Sequence, residues 1–177
     1  MGGAPLFALS LLCSPASPAP LPQSQRNDLP GQLLAERNAV AGNNNKDLQV
    51  TLRYQRGAEG SNFFYNSSNS FYIASSSPEL KGFDVAALAS AESKSQFDLV
   101  RDAGVFHCEG WFANNNASGH WTFVPNQQFA AALAQKGVGT PTAEQQMRLA
   151  LSNSSLELVD VLKQADYSFD VDGLIRA

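Results

Sequence analysis

Between Leu48 and Tyr54 the chain alternates strictly, with Leu48, Val50, Leu52 and Tyr54 set against Gln49, Thr51 and Arg53. That period of two predicts a half-buried β-strand. A stretch rich in Gly, Ser and Asn then runs from Arg56 to Asn69 and is expected to be a loop carrying Phe63, Phe64 and Tyr65. Phe71–Ile73 reads as the next short strand, and Pro78–Ala89 as a helical turn around Leu80, Phe83 and Leu88. The strongest pattern is a three-stranded meander. Phe97, Leu99 and Arg101 lead into a tight turn at Asp102–Gly104, Val105–Phe112 forms the second strand, Asn114–Ser118 reverses the chain, and Gly119–Val124 forms the third. Pairing Phe112 with Gly119 and Cys108 with Phe123 keeps Phe106, Cys108, Phe112, Trp121 and Phe123 on one face.

Past Pro125 the apolar spacing changes to three and four. Asn126 is expected to cap a helix presenting Phe129, Ala130 and Leu133 and ending at Gly137. Thr140 followed by Pro141 starts a second helix, Ser154 with Glu157 forms a capping box for a third, and Asp170 caps a last short one. At an offset of 29 residues Phe129, Leu133, Val138 and Gln145 fall on Leu158, Leu162, Tyr167 and Leu174, so the tail reads as two copies of a helix-turn-helix unit. Two such units need another surface to cover them. The expected architecture is therefore α+β: an antiparallel meander sheet over residues 48–125, followed by short helical hairpin repeats, residues 126–177, packed on it.

The N-terminal region has a different grammar. No charged side chain precedes Arg26, and Leu6, Phe7, Ala8, Leu9, Leu11 and Leu12 form an apolar run ahead of a Ser/Pro/Ala tract. This is the order of a secretory signal and is too short to cross a bilayer. Cleavage is expected after Ala16, with Ala19 the alternative, which predicts an exported protein, periplasmic or extracellular, with no membrane span. Residues 17–47 are assigned to a flexible leader, rich in Pro, Ser and Gln as far as Gly31, with a short helix over Leu33–Val40. Removal of Cys13 with the signal would leave Cys108 as the only thiol, so no internal disulfide is expected.

Composition narrows the function. Only 16% of residues are charged, 12 basic and 16 acidic, while Ser, Asn and Gln together number 44. Twelve scattered cations do not make a phosphate-binding stripe, so nucleic acid is excluded as a partner. Neither a Walker loop, a G-x-G-x-x-G turn, an H-E-x-x-H helix nor a G-x-S-x-G elbow occurs in the mature chain, and no cofactor and no catalysis are expected. The one arrangement that points to metal chemistry is His107, Glu109 and His120 on the outer face of the hairpin, with His120 expected opposite Trp111. Two imidazoles and a carboxylate there would suit Zn²⁺ in a small hydrolase. Cross-strand surface pairing explains the same residues more simply. The preferred function is binding of a protein or envelope component, through the aromatic segment Phe63, Phe64 and Tyr65, the exposed Trp111, and the loop residues Asn114, Asn115 and Asn116.

Several runs carry a resemblance: Phe97-Asp-Leu-Val-Arg-Asp-Ala-Gly104, Phe106-x-Cys-Glu-Gly-Trp-Phe112, Gly119-His-Trp-x-Phe123, Pro125-Asn126, Phe129, Pro141-Thr-x-Glu-Gln and Leu149-Ala-Leu151. From about residue 48 onward the chain resembles a domain of uncharacterised envelope proteins of Gram-negative soil bacteria. Similar segments are appended to antirepressor-type membrane metallopeptidases that sense β-lactams. In such relatives several helix-turn-helix units follow the sheet, whereas this chain stops after the second and has no peptidase domain. The resemblance implies a periplasmic accessory or sensing module, with no ligand and no catalytic residues to transfer.

Overall fold

The computed structural model describes residues 29–37, 47–57 and 64–177. Alternating residues there build seven strands: β1 (Leu29–Arg37), β2 (Leu48–Gly57), β3 (Phe64–Ile73), β4 (Leu80–Lys81), β5 (Ser93–Arg101), β6 (Gly104–Ala113) and β7 (Asn116–Pro125). Five helices complete the described residues: α1 (Val85–Ala89), α2 (Gln127–Gln135), α3 (Ala143–Leu151), α4 (Leu156–Gln164) and α5 (Val171–Arg176). The fold is α+β, and its sheet is antiparallel throughout, in the order β3-β2-β1-β7-β6-β5-β4.

That order forces the sheet to curl. β3 and β4 are its two edges, yet only six residues, 74–79, connect them. Across a flat sheet the two edges would stand about 29 Å apart, and even a fully extended link of this length reaches only about 24 Å. The link is not extended, because the Ser77 amide donates to the Ala74 carbonyl and the Leu80 amide to that of Ser77. Curling is also visible in side chains: Arg101 of β5 lies 5.3 Å from the ring centre of Phe71 in β3 and pairs with Glu79 of the link at 2.6 Å. Asp47 ties the other end of the link down, accepting from the Ser75 amide at 2.8 Å and the Ser75 hydroxyl at 2.9 Å.

The inner face of the curl is the core. Leu33, Leu48, Leu52, Leu99, Phe106, Phe112, Trp121 and Phe123 are all buried there. Trp121 pairs across the ladder with Gly31, and its ring lies over that glycine. From there its indole N–H donates to the Gln32 carbonyl at 3.0 Å, while Phe106 and Tyr54 pack edge-on against the ring at 5.3 and 6.4 Å. Gly110 and Gly119 form a second glycine contact as a cross-strand pair, where a Cβ on either would fall within 2.3 Å of the opposite backbone. α1 closes one end of the curl: the Asn115 amide of the β6–β7 turn donates to the Leu88 carbonyl, and the Leu88 side chain is buried. The helical segment lies at the opposite end, where Asp102 of the β5–β6 turn accepts from the Leu156 amide and α3 packs against β6 and β7.

Several expectations need correction. Residues 33–37 belong to a central strand rather than a helix, and β1 lies inside the stretch assigned to the leader. Leu, Ala, Glu and Arg favour helix locally, but pairing with β2 and β7 on both sides overrides that preference. The expected loop over 56–69 contains most of β3, whose middle is polar on both faces and so shows no apolar period. Residues 78–89 hold β4 as well as a helix. The meander register is shifted by two: Cys108 faces Trp121 and Phe112 faces Ala117. The shift follows from the turn, which is two residues, Asn114 and Asn115, both at positive φ (50° and 64°), as a tight hairpin requires. Thr142 rather than Thr140 caps α3, in a capping box with Gln145, and Ser155 rather than Ser154 caps α4. Asn126 and Asp170 cap as expected. The signal region 1–16 and Phe63 lie outside the described residues.

Helix boundaries recur at the predicted spacing. The caps Asn126 and Ser155 lie 29 residues apart, and so do the terminations at Gly137 and Asp166, both at positive φ. In each, the next amide reaches back five residues, Val138 to the Leu133 carbonyl and Tyr167 to that of Leu162. The second helices are less alike, since their caps Thr142 and Asp170 are 28 apart and α5 is shorter than α3.

Gly31→Ala tests the central contact. A Cβ there would lie 2.2 Å from the Trp121 ring and 2.4 Å from the Arg53 carbonyl oxygen. The expected loss of stability is at the upper end of the roughly 1–3 kcal/mol typical of overpacking, read by denaturant unfolding. Pro30→Ala beside it, at an exposed position, should change little.

Candidate functional site

One face of the sheet packs into the core and the other faces solvent, because side chains alternate along each strand. Cross-strand pairing turns the solvent face into rows. Ser68, Arg53, Gln32, His120, Glu109 and Gln96 follow one another across six strands, and all six are exposed. One step toward the β6–β7 turn, the row is Ser70, Thr51, Leu34, Ser118, Trp111 and Lys94. Trp111 is 56% exposed, which is unusual for the largest side chain in a protein with so full a core. One step the other way, Thr122, His107 and Asp98 line up.

Two shallow depressions share Glu109 and His120 as their common border. One of about 520 Å³ is lined by Gln32, Leu34, Lys94, Trp111 and Ser118. The other, about 300 Å³, is lined by Gln96, Asp98, His107 and Thr122. A larger notch of about 990 Å³ opens at the start of β1, beside Tyr54, Arg53 and Met147. Its lining alternates between both faces of β1 and β2, so it wraps a strand end and encloses no cavity.

The polar partners on this face are already paired among themselves. His107 Nδ1 donates to Asp98 Oδ1 at 2.7 Å, and the Gln96 amide donates to Glu109 Oε2 at 3.1 Å. The His107–Asp98 pair is half exposed on both sides and is worth at most about 1 kcal/mol. Thr122, His107 and Asp98 have the residue types of an acyl-transfer triad, yet no hydrogen bond joins Thr122 to His107. No hydroxyl is therefore coupled to a base.

The zinc arrangement does not form. Among the described residues no group of three His, Cys, Asp or Glu side chains is close enough to hold a metal ion. The register is the reason. His120 stands opposite Glu109, not Trp111, while His107 lies a further two residues along its strand and is drawn toward Asp98. Cys108 offers no nucleophile either: it points into the core, and burial, with Asp98 adding to it, pushes its thiol up to about 12.

The expected contact residues separate. Asn114 and Asn115 form the β6–β7 turn, with Asn116 opening β7 and its amide donating to the Asn114 carbonyl. Trp111 is nearby, opposite Ser118. Phe64 and Tyr65 begin β3, paired with Gly57 and Arg56, and Gly57 lies eight residues along β2 from Gln49, the position level with Asn116. Eight residues of strand are about 26 Å, so the aromatic segment and the turn sit at opposite ends. Gln32, Leu34, Arg53 and Lys94 were not singled out from the sequence. Only the pairing of β1 between β2 and β7 brings them beside Trp111.

No protein-family model, no curated protein and no solved structure matches the chain. No helix among the described residues is long and apolar enough to cross a membrane.

Two outcomes follow from the site. Cys108 should stay unmodified by a thiol reagent at pH 8, because a raised pKa keeps it protonated there, and should react once denaturant unfolds the protein; the readout is mass spectrometry in a Cys13→Ser background. Zinc titration should give no stoichiometric site, and chelator should leave the melting temperature unchanged. A chelator-sensitive Tm would show that the two histidines do bind metal.

Proposed function

We propose that the protein is an exported, non-catalytic module that holds a protein or an envelope component on the solvent face of its sheet. The observation that carries this reading is Trp111: an aromatic ring 56% exposed, on a regular strand rather than a loop, beside Leu34, Lys94 and Ser118 in a depression of about 520 Å³. Aromatic side chains on rigid elements bring large contact area at small entropic cost, which is why they dominate recognition surfaces. Around it the face offers amides and hydroxyls with few charges, so contacts there are hydrogen-bonded rather than steered by long-range electrostatics. The Asn114–Asn115 turn borders the same surface and extends it. The aromatic segment at Phe64 and Tyr65 lies too far along the sheet to join that contact, and in this reading it has a separate role.

Export rests on the uncharged, apolar N-terminal run and the small-residue site at Ala16. The resemblance to envelope domains agrees with it, as does the helical tail, whose caps and terminations recur at 29 residues in the manner of two copies of one unit resting on the sheet. In this reading the helices support the core, and the uncovered face does the binding.

The test is a crosslinking pull-down from intact cells with the processed protein. Trp111→Ala should lose at least tenfold of the captured partner while leaving the unfolding midpoint within about 0.5 kcal/mol of the parent. Tyr72→Ala, on an exposed site four strands away, should capture as before. Equal capture by Trp111→Ala and the parent would remove the solvent face from the function.

A further inference from the structure

The two edges of the sheet are protected very differently. β4 is two residues long, carries Lys81 and is followed at once by Gly82 at positive φ, so that edge is short and charged. β3 is ten residues long, Phe64–Ile73, and contains no Lys, Arg, Asp, Glu or Pro. Its only backbone ladder is the one to β2, and no other backbone hydrogen bond is made by these ten residues among the described ones. A long, uncharged, unpaired edge is a template for another strand.

The sequence of that edge reads nearly the same in both directions. About Ser68 as centre, Ser67 mirrors Asn69, Asn66 mirrors Ser70, Tyr65 mirrors Phe71 and Phe64 mirrors Tyr72. Antiparallel pairing of this strand with itself therefore sets small polar residues against small polar residues and aromatic positions against aromatic positions. A two-fold interface demands that the same patch complement itself, and a near-palindrome centred on one residue is the strand form of that demand. We infer that β3 is a dimerisation edge, pairing antiparallel with β3 of a second copy of this chain about a two-fold axis at Ser68. The exposed faces of both copies then continue as one surface, with Asn66, Ser68 and Ser70 of each copy at its centre.

The inference stands apart from the binding role of Trp111, which lies on β6. Light scattering on the full chain across a range of concentration should show a reversible monomer–dimer equilibrium. Ser68→Lys puts two like charges opposite each other on the axis and should weaken dimerisation at least tenfold without altering the melting temperature of the monomer. Ser118→Lys, the same change at an exposed position on the interior strand β7, should dimerise like the parent. The register is tested in a Cys13→Ser background: Ser68→Cys should crosslink to a disulfide dimer under mild oxidation, and Ser70→Cys, which faces Asn66 of the other copy, should crosslink far more slowly. A parent that remains monomeric at every concentration overturns the inference, including the case in which another segment of the same chain fills the edge. So does a Ser68→Lys variant that still dimerises, or equal crosslinking from positions 68 and 70.

Discussion

Trp121 lying across Gly31 is the contact on which the rest of the sheet depends. β1 is the only strand joining the β2–β3 hairpin to the meander of β4 to β7, and it does so through ladders on both its edges. A side chain at position 31 would displace the indole; with glycine there the ring crosses the strand, donates its N–H to the Gln32 carbonyl and reaches Tyr54 on β2. One buried aromatic thus links three neighbouring strands while satisfying its own polar atom, as a buried tryptophan must. The curl of the sheet follows from the same junction, because joining the two halves at β1 leaves β3 and β4 as edges that a six-residue link then draws toward each other.

A curled sheet has one inside. The helices and Leu88 close the inner face, the large aromatics fill it, and all chemistry placed on that side is silenced by burial, Cys108 included. What remains is the outer face, where amides, hydroxyls and a few charges pair among themselves across the strands. This explains why the residue types for metal or acyl chemistry occur without the chemistry: on a solvent-facing sheet, neighbours in a row satisfy one another, and residues two apart along a strand are too far separated to share an ion. Trp111 is the exception to that self-sufficiency, being large, apolar at its face and without a partner.

Much of the fold was readable locally. β2, β5 and β6 show clean alternation, and Asn126 and Asp170 cap the helices they were expected to cap. The 29-residue spacing proved real at the level of backbone bonds, with Val138 and Tyr167 reaching back to equivalent carbonyls. Other elements were hidden for identifiable reasons. β1 contains Pro30, Gly31 and a helix-favouring run, so nothing in its own residues announces a central strand. β3 is polar on both faces in its middle and looks like a loop until β2 is placed beside it. The candidate site suffered most, because a shift of two residues in one hairpin replaced the expected His120–Trp111 pair by His120–Glu109 and dissolved the metal cluster.

The sequence by itself determined the α+β class, the strands with period-two alternation, the helix starts carried by a single side chain, and a polarity too amide-rich and too weakly charged for nucleic acid. These are properties of short windows, set by the geometry of one strand or one helical turn. Tertiary structure alone decided which strand lies beside which, that Gly31 makes room for Trp121, that the tight Asn114–Asn115 turn sets the register, and that Gln32, Leu34 and Lys94 surround Trp111. Each of these depends on contacts between residues far apart in the chain, whose energies are absent from any single segment and appear only when the strands pair.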